Sequence, residues 1–146
     1  MVLQDETRRR PVREDTVNRR PSLDSMLLAT RDPDRLHAWY AAVLDPQEDD
    51  GMDGYRVLRF GHFHLLIDHR SDVAAEPAEP ARTILNFDVG DARAVAARMD
   101  AAGTEWLAPL EDRDGSLFAT ALDPDGNYVQ IIQLSEQHRA AMDGGA

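Results

Sequence analysis

Five histidines, many carboxylates and a complete lack of cysteine and lysine define the chemistry open to this chain. His62 and His64 stand two apart, with Asp68 and His69 close behind. Two imidazoles and a carboxylate suit iron or zinc, and alternate residues of a strand share a face. Asn86 and Asp88 repeat that spacing, and a carboxylate in an apolar cleft could act as a general base. The missing residue types exclude other mechanisms. Without cysteine there is no disulfide, thiol nucleophile or thiolate metal site. Without lysine there is no Schiff base and no P-loop lysine. His37 and His138 read as surface residues, and Asp123 and Asp125, around Pro124 and before Gly126, as turn-makers.

The chain has 146 residues and a net charge of −11. That length fits one domain with a real core, and the charge argues against a nucleic-acid or anionic-membrane partner. Residues 1–22 differ from the rest, with six arginines against four carboxylates, Pro11 and Pro21. They read as a flexible tail, the alternative being an arm that wraps a partner subunit. No apolar run approaches a membrane span and no secretory h-region opens the chain, so the expected location is the cytoplasm.

From Ser25 the pattern becomes regular. Ser25–Thr30 is a short apolar strand, and Asp32-Pro33 reads as a helix N-cap followed by proline at the first helical position. Leu36, Trp39, Tyr40 and Val43 then form an amphipathic stripe on a helix ending at Leu44. Residues 47–54 are too acidic for an assured strand. Tyr55–Phe60 and Phe63–His69 are predicted strands about a Gly61-His62 turn, and 71–81, with Pro77 and Pro80, a linker. The order then restarts: strand 83–89, a helix capped by Asp91 and stopped by Gly103, and strands 105–110, 117–122 and 127–134. Glu111–Asp114 reads as an acidic loop and 135–146 as a frayed C-terminal tail. The domain is therefore 23–134, with one module at about 25–70, the linker, and a second at about 82–134. A repeated β-α-β-β-β order is a stronger signal than any single motif.

Asp123-Pro124-Asp125-Gly126-Asn127, running into a last strand, resembles the end of a vicinal-oxygen-chelate domain. That superfamily contains glyoxalase I, extradiol dioxygenases and bleomycin-resistance proteins. Ser25–Asp32 followed by Trp39-Tyr40, and Ile84–Asp91 followed by Ala102-Gly103, look like its two module openings. The resemblance covers about residues 25–134. It implies an α+β fold in which two tandem βαβββ modules form a curved, cleft-bearing mixed sheet with helices on the outer face.

Period-two alternation sends Met26, Leu28, Leu85, Phe87 and Val89 under the helices. It leaves Ser25, Leu27, Ile84, Asn86, Asp88, Phe63, Leu65, Ile67, Tyr128, Gln130 and Ile132 to line the concave side as ligand-binding residues, together with Ala29. On this parity His64 faces the helices or solvent. In the family's metal enzymes four concave positions supply His, Glu, His or Gln, and Glu. Matched by motif they fall on Ser25, Leu65, Ile84 and Gln130. Two are hydrocarbons and two are neutral, so no divalent metal and no other cofactor is expected.

The implied function is that of the bleomycin-resistance branch: a metal-free homodimer binding a small apolar or aromatic molecule. The alternative is a lyase, isomerase or dioxygenase using nonstandard metal ligands, and a third is a structural partner whose cleft its own side chains fill. No catalytic residue is assigned.

Overall fold

The computed structural model describes residues 19–52 and 55–144, so most of the Arg-rich segment 1–22 lies outside the described residues. The chain runs β1 (Ser25–Thr30), α1 (Pro33–Leu44), β2 (Glu48–Met52), β3 (Tyr55–Phe60) and β4 (Phe63–His69). After a 3-10 turn at Pro80–Arg82 come β5 (Leu85–Asp88), α2 (Ala92–Ala101), β6 (Glu105–Arg113), β7 (Ser116–Leu122), β8 (Tyr128–Gln133) and α3 (Glu136–Gly144). This is β-α-β-β-β twice. No helix among the described residues is long and apolar enough to cross a membrane.

Local chemistry places the boundaries. The Asp32 and Asp91 carboxylates accept from Arg35 N at 3.1 Å and Ala94 N at 3.0 Å, satisfying first-turn donors that the helices cannot. Gly103, at φ +74°, ends α2 where a side chain would be strained. The acidic stretch after Pro46 does become a strand. It lies at the edge of its sheet, where Glu48 pairs with Arg59 (3.1 Å) and Asp49 is hydrogen-bonded to His37 (2.9 Å), so both carboxylates have partners. The stretch read as an acidic loop also belongs to a strand. β6 reaches Arg113, and the hairpin turn falls on Asp114 and Gly115, both at positive φ.

The strands form two four-stranded sheets, ordered β1-β4-β3-β2 and β5-β8-β7-β6, rather than one continuous curved sheet. In each, the first strand is parallel to its neighbour and the remaining pairs are antiparallel. α1 packs on β3 and β4, α2 packs on β6, β7 and β8, and the two helices pack on each other. One core results: Leu36, Tyr40 and Val43 of α1 and Met99 of α2 are fully buried with Leu58, Ile67, Val129 and Ile131 of the sheets. Phe60 and Phe87, each on a helix-bearing face, meet edge to face at 5.0 Å. The modules therefore join through their helix-bearing sides, and their other faces look away from one another. That is why the sheets do not continue into each other within the chain.

Candidate functional site

Strand register shows which residues share each outward face. In the second module Asn86 pairs with Gln130 and Asp88 with Ile132, while Phe118, Thr120 and Leu122 stand opposite Ile132, Gln130 and Tyr128. The expected set Asn86, Asp88, Tyr128, Gln130 and Ile132 thus shares one face, with Ile84 just before β5. Phe118 and Thr120 join it and were missed from the sequence. Arg113 lies over the Phe118 ring at 5.1 Å.

In the first module the expectation fails by one residue. Met26 pairs with Leu65 and Leu28 with Ile67, so Leu65 and Ile67 lie in the core, 1% and 0% exposed. Phe63 shares their side. Ser25, Leu27 and Ala29 instead share the outward face with His64, Leu66 and Asp68, and with Tyr55, Val57 and Arg59 of β3. The cause is turn length. β3 and β4 are joined by the two residues Gly61 and His62, whereas β7 and β8 are joined by the five residues 123–127. Counting from the glycine of each turn therefore gives different parity, and a one-residue slip inverts a strand's faces.

With the register corrected, Leu66 rather than Leu65 corresponds to Gln130. The four family positions become Ser25, Leu66, Ile84 and Gln130, still two hydrocarbons and two neutral groups, a donor set that does not fit a divalent cation. His64 is on the outward face, beside Ser25 and Arg59 and sharing that side with Asp68. Among the described residues no group of three or more His, Asp or Glu side chains could hold a metal ion. His62 is exposed at its turn, and His37 bonds Asp49 rather than standing free.

The Asp123–Asn127 turn holds the modules together. Asp123 is 3% exposed, and its carboxylate accepts from Asp125 N (2.9 Å), Asn127 N (3.0 Å), Asn127 Nδ2 (2.9 Å) and the Tyr40 hydroxyl of α1 (2.7 Å). Burial raises the Asp123 pKa, and the bonds from Asn127 and Tyr40 oppose that shift. Burial, reinforced by the Asp123 charge, pushes the Tyr40 phenol well above its ordinary value. Gly126 takes φ +92°, which explains the glycine. Arg35 adds a bond to Asp125 at 3.0 Å, and Trp39 Nε1 donates to Thr104 Oγ1 at 2.8 Å. The turn thus acts as a clamp on α1.

Asp88 is no isolated base. Its carboxylate meets Arg139 of α3 at 2.6 Å, with both side chains open to solvent. The C-terminal stretch read as a frayed tail is this helix. Ser116 Oγ accepts from Ser135 N at 2.8 Å and contacts His138 Nδ1. A groove of about 760 Å³ opens between the sheets, lined by the helix-side residues Phe60, Phe63 and Leu65 and also by Ile84, Asn86 and Asp88 of the expected ligand-binding set.

The profile of the Glyoxalase/Bleomycin resistance protein/Dioxygenase superfamily matches residues 22–131. No protein of curated function matches the sequence significantly. A glyoxalase/bleomycin resistance protein/dioxygenase family enzyme from Burkholderia phytofirmans PsJN superposes with a TM-score of 0.65 at 20% identity, over 79% of this chain and 100% of that one. The fosfomycin resistance protein FosX from Mesorhizobium loti gives 0.65 at 17% identity, over 82% and 98%. TioX from Micromonospora sp. ML1 gives 0.57 at 22%, over 77% and 98%. With the profile spanning both modules and the repeated βαβββ order seen in the structure, the chain belongs to the glyoxalase/bleomycin resistance protein/dioxygenase superfamily.

Proposed function

We propose that this protein is a metal-free member of its superfamily that binds a small apolar or aromatic molecule between the outward faces of two copies of the chain. The observation that carries the reading is the content of those faces. Ser25, Leu66, Ile84 and Gln130 occupy the family's four ligand positions, and around them stand Leu27, Tyr128, Ile132 and Phe118 with the amide and hydroxyl groups of Asn86 and Thr120. Apolar walls with a few fixed polar groups suit recognition of an organic molecule better than Lewis-acid chemistry. The structural neighbour FosX is a fosfomycin resistance protein, which supports an antibiotic-like ligand.

The homodimer rests on how the modules pack. One chain turns its two faces away from each other, so a cleft walled by both sheets needs a second copy. Leu27 and Ile84, exposed at 48% and 42%, lie on or just before β1 and β5, the free edge strands through which a symmetric pair would join. The inter-sheet groove within one chain includes Asn86 and Asp88 in its lining, but of the four family positions it carries Ile84 alone, the rest being helix-side and loop residues.

The enzyme alternative gains one specific observation, His64 and Asp68 on the same outward face. Elemental analysis separates the two. Less than about 0.1 metal per chain, with saturable binding of aromatic ligands that Gln130→Ala weakens, supports the binding module. About one metal per chain, lost in His64→Ala, would replace it with the metal-dependent reading.

A further inference from the structure

The third helix is placed where it can govern the proposed site. Ser116 belongs to the same side of β7 as Phe118 and Thr120, and Asp88 to the same side of β5 as Asn86. α3 bonds the first through His138 and the second through Arg139. Because β8 lies between β7 and β5, α3 crosses its end on the outward face. It stands at the end of the row formed by Asp88, Ile132 and Phe118, held at Asp88 and at Ser116. Ser116, otherwise on an open face, is fully buried beneath this crossing.

The attachments are polar and few. Ser135 N donates to Ser116 Oγ at 2.8 Å, His138 N donates to Ser135 Oγ at 3.1 Å, and Arg139 pairs with Asp88 at 2.6 Å. No α3 residue is buried, and Met142 is 66% exposed. Nine residues do not sustain a helix alone in water, so these contacts hold it, and opening them costs far less than unfolding the domain. Resting on the reading of the outward face as the ligand site, we propose that α3 is a latch. Closed, it pairs Asp88 with Arg139 and covers Ser116 at one end of the site; swung away about Leu134 and Ser135, it frees the Asp88 carboxylate from its cation and uncovers Ser116.

The chain contains no cysteine, so the latch can be locked cleanly. Ser116 and His138 touch through their side chains, and Ser116→Cys/His138→Cys is the lock, its closure verified by loss of free thiol before any binding is measured. Binding of the uncharged dye Nile red is measured for this variant oxidised and reduced, and for Arg139→Ala. Oxidation should weaken binding or slow association about tenfold, reversibly with reductant, and Arg139→Ala should speed it. Dye binding that is the same oxidised and reduced, and unaltered in Arg139→Ala, overturns the latch. Gln130→Trp reports on the site itself. If it blocks the dye while the lock and Arg139→Ala change nothing, only the latch falls. If it too leaves binding as in the parent, the outward-face reading falls first.

Discussion

Replacing Tyr40 by phenylalanine removes a single hydroxyl from the clamp between the modules. The ring contacts survive, since Trp39 lies edge-on at 4.8 Å and Phe87 at 6.5 Å and neither depends on the oxygen. What is lost is one buried bond, 2.7 Å long, to a carboxylate. Bonds to charged partners contribute about 1.5–3 kcal/mol, and Asn127 Nδ2 still serves the same Asp123 oxygen, so about 2 kcal/mol is expected. With a urea dependence of about 2 kcal/mol per molar, the unfolding midpoint should fall by about 1 M. The difference should also depend on pH. Because the folded Tyr40 pKa is raised, its contribution is complete below the unfolded phenol value of about 10 and is lost as pH rises through the folded value. The gap between parent and Tyr40→Phe should therefore be constant from neutral pH to about 10 and shrink beyond it. A gap under about 0.5 kcal/mol, or one that persists unchanged at high pH, would refute the clamp.

Leu65→Ala should cost about 2–5 kcal/mol by opening a core cavity, whereas Leu66→Ala should cost about 1 kcal/mol or less and instead weaken dye binding. Denaturation of the two neighbours side by side tests the corrected register, and equal costs would restore the original parity. Gly126→Ala should lose about 1–2 kcal/mol through its φ of +92°, since the added methyl meets Pro77 only at ordinary contact, 3.8 Å. Gly90→Ala, with open space around it, should be nearly neutral, and urea unfolding of the two variants side by side checks both. Installing Ser25→His, Leu66→Glu, Ile84→His and Gln130→Glu together should create a site that takes up a divalent cation near one per chain by equilibrium dialysis, and the parallel set with Leu65→Glu should not. Sedimentation should give twice the chain mass for the parent, and Ile84→Arg should shift it toward the single chain.

Much of the fold was legible because its signals are local. Asp32 and Asp91 cap by bonding an amide three residues on, and Leu36, Trp39, Tyr40 and Val43 fall on one helical face wherever the helix docks. The repeated order survived even with β2 doubtful. What escaped depends on distant partners. β2 is a strand because Arg59 and His37 give its carboxylates partners, and no spacing in residues 47–54 announces them. α3 forms because Ser116 and Asp88 receive it. The face of β4 turned on the two hairpin lengths, two residues against five, so the outward faces of β1, β5 and β8 were legible and that of β4 was inverted. That the helices meet each other, and not solvent, is a property of assembly that amphipathic stripes alone do not encode.

On the proposed reading, that last arrangement would link ligand binding to self-association. A pocket with one wall from each chain ceases to exist when the chains separate, so ligand and partner draw on the same equilibrium. Each occupied pocket would favour the pair by RT ln(1 + [L]/Kd), about 2.7 kcal/mol at a hundredfold excess of ligand over Kd. Dilution would then lower apparent affinity with no change in any contact, and two pockets would fill per pair. The Phe60–Phe87 and Tyr40–Asp123 contacts join the two modules through the body of a single chain, and would tie the wall of one such pocket to the wall of the other. A protein of this design would respond to its own abundance as well as to its ligand.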